Sequence, residues 1–226
     1  MDNVRVGLKE RYFTVENIEE QSKEMLNEIL NFRQKHDMEF IPEKSALIIL
    51  DMQKHFLDEN SHAFVPSAPA IVPNIRRLMK FYLDNKYPVF ATTHIDTENN
   101  DSMMLKWWKG VIKKGDEKSE IIPDFNKSDI IIMEKSQYDA FYKTNLEQLL
   151  LSRGINQVII TGVMTHLCCE STARSAFVHG FEVFFPVDAT ATYNKQFHFS
   201  TLYNLSHGFA IPVLSRELIH KGRSER

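Results

Sequence analysis

From Ser45 onward, short continuous apolar runs alternate with longer stretches of helical spacing, and few folds accommodate that pattern. Ala46–Leu50, Pro88–Thr92, Ile130–Met133, Val158–Thr161, Glu182–Pro186 and Ala210–Leu214 are too short and too uniformly apolar to be amphipathic helices. Runs of this kind are expected of parallel strands covered on both faces. Pro212 removes a ladder donor and puts the last run at a sheet edge. Crossover helices fit the intervals Ala70–Asn85, Thr144–Ser152, Glu170–His179 and Lys195–His207. Strand–helix alternation builds a parallel sheet with helices on both sides. The predicted fold is therefore α/β, a three-layer αβα sandwich around six mostly parallel strands.

Residues 1–44 read differently, as a polar helical extension ahead of a main domain spanning 45–226. Asn17 and Glu20 suggest a helix start, and Ile18, Met25, Leu26, Ile29, Leu30 and Phe32 give that helix one apolar face. Pro42 ends it. The apolar face needs cover, from the main body or from a neighbouring subunit. Composition narrows the function classes: 43% hydrophobic and 25% charged residues rule out disorder, and a net charge of -3 lacks the basic excess of a nucleic-acid protein. No apolar run reaches the ~20 residues of a membrane span. The start, Met1 to Arg5, has no apolar leader, and two adjacent cysteines make no disulfide framework. These features predict a cytoplasmic protein.

In parallel sheets ligands bind beyond the carboxyl ends of the strands, so the polar residues closing each run matter most. The first ends in Asp51, the third in Glu134-Lys135, and Cys168 follows the fourth at the opening of a helix. A helix N-terminus lowers a thiol's pKa and favours a nucleophilic thiolate, although most free cysteines simply pack as small apolar groups. Cys169 points about 100° away from it on a helix and packs inward. Asp51 suits proton transfer or loop capping, and Lys135 suits thiolate stabilisation or a solvated strand end. His94-Ile95-Asp96 places two ligand types on one side of an extended segment, but neither His62 nor His198 has the spacing of a third zinc ligand. No metal or other cofactor is expected, and no glycine-rich phosphate loop follows any strand. The excursion Asp96–Asp124 should serve the ligand site, and Phe56, Trp107, Trp108, Tyr138 and Phe141 suit a substrate pocket or core packing.

The ordered blocks resemble the isochorismatase-like cysteine hydrolases, a superfamily with a Rossmann-like fold that includes nicotinamidases, carbamoyl amidohydrolases and isochorismatase. Gly162-Val163-Met164-Thr165-His166-Leu167-Cys168-Cys169-Glu170-Ser171-Thr172-Ala173 carries the strongest likeness. Leu50-Asp51-Met52-Gln53 with Phe56, Lys135 with Tyr138, Asp139 and Phe141, and Val187-Asp188-Ala189 add three more blocks. The resemblance implies a triad of Asp51, Lys135 and Cys168 hydrolysing a small amide or carbamoyl compound through a thioester. It also implies an oxyanion hole from the Met164 and Cys168 N–H groups behind a cis Val163–Met164 bond, His166 near the pocket, and a homodimer or homotetramer. Zinc-dependent nicotinamidases carry Asp-x-His where this chain has His94-x-Asp96, and Trp107-Trp108-Lys109-Gly110 has no histidine. That departure sets the expected substrate apart from nicotinamide. Two alternatives remain: vinyl-ether hydrolysis with Asp51 as general acid, and a non-catalytic ligand-binding member of the fold.

Overall fold

The computed structural model describes residues 8–33, 36, 38–96, 102–108 and 112–224. The readings made on Met1–Arg5 and on Lys109-Gly110 lie outside these residues. Among the described residues, seven strands form the sheet: β1 Ser45–Leu50, β2 Val89–His94, β3 Ile131–Lys135, β4 Gln157–Val163, β5 Glu182–Pro186, β6 Thr190–Ala191 and β7 Ile211–Val213. The helices are α1 Ile18–Glu28, α2 Leu30–Arg33, α3 Lys54–Leu57, α4 Ala68–Asp84, α5 Met103–Trp108, α6 Leu146–Leu151, α7 Glu170–Val178, α8 Lys195–Gly208 and α9 Ser215–Ser224. Six strands lie in the order β3-β2-β1-β4-β5-β7, all paired in parallel, and β6 adds to β4.

The count of seven corrects the expected six. β6 is two residues long and continues the ladder beside Gly162 and Val163, beyond the point where β5 leaves β4. No apolar run marks so short a strand. A second correction concerns β3, which alternates buried and exposed positions because it is an edge; Glu134 there faces outward to Lys114 at 2.7 Å. By contrast β1, β2 and β4 are buried throughout, as a sheet covered on both faces requires. β7 forms the opposite edge, where Pro212 costs no ladder bond that the fold needs.

The N-terminal helix finds its cover on the main body. Ile18, Met25, Leu26 and Ile29 are buried in one continuous core with the central strands, joined by Tyr12 and Phe13 from the segment before it. Among the described residues, no helix is long and apolar enough to cross a membrane.

One glycine is fixed by the sheet itself. Gly162 pairs with Leu50 and has φ +106°, and a Cβ there would sit 2.1 Å from the Leu50 carbonyl oxygen. Both the backbone conformation and the space exclude a side chain. Gly162→Ala is expected to destabilise the fold by about 3–5 kcal/mol, read as a lower urea midpoint. A shift under about 1 kcal/mol would show that β1 and β4 separate more easily than their register implies.

Candidate active site

Successive strands run outward from β1 through β2 to β3, whereas β4, β5 and β7 run the other way. The reversal opens a crevice between the carboxyl ends of β1 and β4. Asp51 stands just past β1, turned off the strand by a left-handed φ of +51° that aspartate tolerates better than most residues. Its backbone N–H and its Oδ1 are held by Thr92, the hydroxyl donating to the carboxylate at 2.7 Å. Lys135 ends β3, two strands and about 10 Å from β1. Only a long stem spans that distance, which explains why lysine rather than a shorter cation occupies the position.

The Lys135 side chain crosses β2 and brings its Nζ to 2.7 Å from Asp51 Oδ2, 3.4 Å from Cys168 Sγ and 2.8 Å from the Gln137 carbonyl. The Asp51 and Lys135 side chains are fully buried, and Cys168 is 6% exposed. The three sequence candidates thus meet around one ammonium group. Cys168 itself lies on a π-type turn, Thr165–Cys169, that links the cis Val163–Met164 peptide bond to α7. The Met164 carbonyl anchors this turn by accepting from Leu167 and Cys169 N–H. Cys169 is fully enclosed.

Electrostatics here overturn one expectation. A helix-start cysteine should have a depressed pKa, but burial and the Asp51 carboxylate push the Cys168 thiol up to about 12, with Lys135 opposing. The reason is charge balance. A carboxylate, an ammonium and a neutral thiol leave the dry site with no net charge, whereas ionising the thiol into solvent would leave it negative. Moving the same proton onto Asp51 keeps the sum unchanged. Lys135 keeps its charge: burial works against it, but Asp51 and Cys168 raise its pKa above the ordinary 10.5.

A cavity of about 300 Å³ opens onto Cys168, and its walls include Phe56, His94, Asp96, Trp108 and Tyr138. Trp108 Nε1 donates to the Tyr138 hydroxyl at 2.6 Å, closing one side. Other proposed pocket residues lie elsewhere. Trp107 is 71% exposed, Phe141 stacks on His179, and His166 stacks on Phe197 while its Nδ1 meets the Thr192 hydroxyl. Phe141 and His166 are drawn away by neighbours distant in sequence, whereas Trp107 faces solvent. The cavity also takes in Leu8, Lys9, His55, His62 and Tyr193, which no spacing singled out.

His94 Nε2 faces Asp96 Oδ1 at 3.2 Å, and Asp96 Oδ2 accepts from Ile112 N–H at 2.7 Å, while His94 Nδ1 is buried without a hydrogen-bond partner among the described residues. Among the described residues, no group of three or more His, Cys, Asp or Glu converges as a metal site. His198 is occupied differently, buried with its Nδ1 beside the hydroxyls of Tyr12 and Thr165.

Burial of histidines predicts acid sensitivity. His198 is pushed from 6.5 down to about 3 and His166 to about 4, both chiefly by loss of hydration. The unfolded chain takes up protons near pH 6.5 and the folded chain does not. Stability is therefore full above that pH and declines as pH falls through 6.5 toward 4. For His198 alone the loss is about 1.4 kcal/mol at pH 5.5. Chemical melts at pH 7.5 and 5.5 should show it, and identical stability at the two values would contradict the enclosed neutral imidazole.

A family model for the isochorismatase domain matches residues 45–217. The chain is 42% identical to nicotinamidase 3 of Arabidopsis thaliana over 174 residues, covering 75% of this chain and 84% of that protein. It is 29% identical to enterobactin synthase component B of Escherichia coli over 191 residues, covering 82% of this chain but only 66% of that protein. The crystal structure of a cysteine hydrolase from Pseudomonas syringae pv. phaseolicola shares the fold, with a TM-score of 0.79, 24% identity, and coverage of 83% of this chain and 96% of that one. Sequence, sheet order and family match agree, and the chain belongs to the isochorismatase family of hydrolases.

Proposed function

We propose that this hydrolase cleaves the C–N bond of a small amide or carbamoyl compound through a thioester on Cys168. The observation that carries the reading is Lys135 Nζ held between Asp51 Oδ2 at 2.7 Å and Cys168 Sγ at 3.4 Å in a buried site. Asp51 takes the thiol proton as sulfur attacks the carbonyl carbon, and Lys135 steadies the sulfur anion. Carbonyl π electrons move to oxygen, which the N–H groups of Met164 and Cys168 receive. The C–N bond then breaks, and Asp51 returns its proton to the leaving amine. Water attacks the thioester, Asp51 takes the water proton, and the released sulfur recovers it. Proton transfer within a site of constant net charge accounts for a nucleophile whose resting form is the thiol.

The substrate is small and partly apolar, because the cavity walls are mostly apolar side chains and the volume holds about one compact ring system. The nicotinamidase relative makes nicotinamide the first amide to test, although His94-Ile95-Asp96 inverts the pattern of zinc-dependent nicotinamidases. We place the enzyme in the cytoplasm as a homo-oligomer. Ammonia release from nicotinamide, other aromatic amides, ureido compounds and carbamoyl amines is the direct assay. Turnover of at least one panel member is expected, and failure on all of them would favour a ligand-binding role.

A further inference from the structure

The segment preceding α1 lies outside the 45–217 family match, yet it reaches the site from two directions. Leu8 and Lys9 form part of the cavity wall that Cys168 also lines. Lys9 Nζ donates to the His62 and Phe64 carbonyls at 2.7 and 2.8 Å, pinning this wall to the loop ahead of α4. Glu10 N–H donates to the Tyr193 carbonyl, and Asn194 Nδ2 donates to the Leu8 carbonyl at 3.0 Å. The strap is therefore tied to the loop before α8 as well.

Tyr12 then passes beneath the nucleophile turn. It is 5% exposed, and its hydroxyl accepts from Thr192 N–H at 3.0 Å. The same oxygen lies 3.1 Å from His198 Nδ1, which lies 3.0 Å from the hydroxyl of Thr165. Thr165 opens the five-residue turn that ends in Cys168-Cys169. Thr165 and His198 are wholly shielded from solvent, so water cannot replace a lost partner, and a missing hydroxyl leaves a polar group stranded below the turn.

We propose that the N-terminal strap is part of the active site, with Tyr12 a positioning residue that sets the Cys168 turn through His198 and Thr165. The proposal rests on Cys168 being the nucleophile. A Cys168 held 3.4 Å from Lys135 Nζ reacts with electrophiles because that ammonium steadies its sulfur, and a turn that drifts loses that contact.

The test uses iodoacetamide on the full chain at pH 7, with Cys168 alkylation followed by intact mass. Tyr12→Phe keeps the ring in the core and should slow alkylation about five- to tenfold, the size expected for one buried hydrogen bond. Thr165→Val should slow it by a similar factor, Thr165→Ser should restore it, and the Tyr12→Phe/Thr165→Val pair should be no slower than the worse single variant. Met25→Ala, a core change in α1, controls for stability: it should lower the melting temperature without altering the alkylation rate. An unchanged rate in Tyr12→Phe, additive effects in the pair, or equal slowing by Met25→Ala would overturn the positioning role. A native chain whose Cys168 resists alkylation would instead defeat the nucleophile reading itself.

Discussion

Cys168→Ala should abolish amide turnover, lowering kcat by at least about 10⁴-fold while leaving the fold intact. Loss of a covalent nucleophile removes the attacking atom, and the residue of activity that survives comes from binding and oxyanion stabilisation alone. The structural cost is small, because the thiol contributes modest buried area and the Asp51–Lys135 ion pair at 2.7 Å does not depend on it. Steady-state kinetics on the best panel substrate, paired with a melting curve, checks both halves. Retained turnover in the Ala variant would transfer the chemistry to Asp51 acting as a general acid, the vinyl-ether alternative.

Asp51→Asn should separate two properties that a simple loss of structure would move together. Turnover is expected to fall about 10²–10⁴-fold, since the base that takes the thiol proton and the acid that protonates the amine are the same group. The Cys168 thiol, however, should ionise at lower pH. Asp51 is one of the groups holding the thiol pKa up, second only to burial, and its removal leaves the Lys135 ammonium beside the thiol. A thiolate–ammonium pair then takes the place of the carboxylate–ammonium pair. Alkylation of Cys168 above neutral pH should consequently be faster than in the native chain, even as amide turnover collapses. Stability should drop by less than the about 3–5 kcal/mol of a buried ammonium left unpaired, because the Cys168 thiolate takes the lost partner's place. Alkylation falling along with turnover would contradict the hold that the Asp51 carboxylate has on the thiol.

The scaffold was largely legible because strand ends carry polar residues that interrupt apolar runs. Asp51, Lys135 and Cys168 each close or follow such a run, and the sheet brings them together. The run boundaries were less clear: β2 continues through Thr93 and His94, and β4 through Gly162 and Val163, where polar or small residues hide a strand that is still buried. Other features left no local trace. The π-type turn at Thr165–Cys169 places Cys168 before α7 rather than in its first turn, and only the surrounding contacts reveal it. Leu8, Lys9, His62 and Tyr193 reach the cavity from loops whose paths depend on distant partners, as Lys9 does on the His62 and Phe64 carbonyls, and His55 reaches it from the short α3. Thiol acidity departs from the sequence expectation for a related reason. A helix dipole can be read from sequence, but full burial beside a carboxylate cannot.

Intact-mass spectrometry of the enzyme quenched during turnover, followed by peptide mapping, tests the covalent route most directly. An acyl group from the amide should appear on the Cys168 peptide at early quench times, be gone once the substrate is consumed to free acid, and be absent from Cys168→Ala. Substrate consumed at full rate with Cys168 unmodified at every quench time, and with equal activity in the Ala variant, would contradict it.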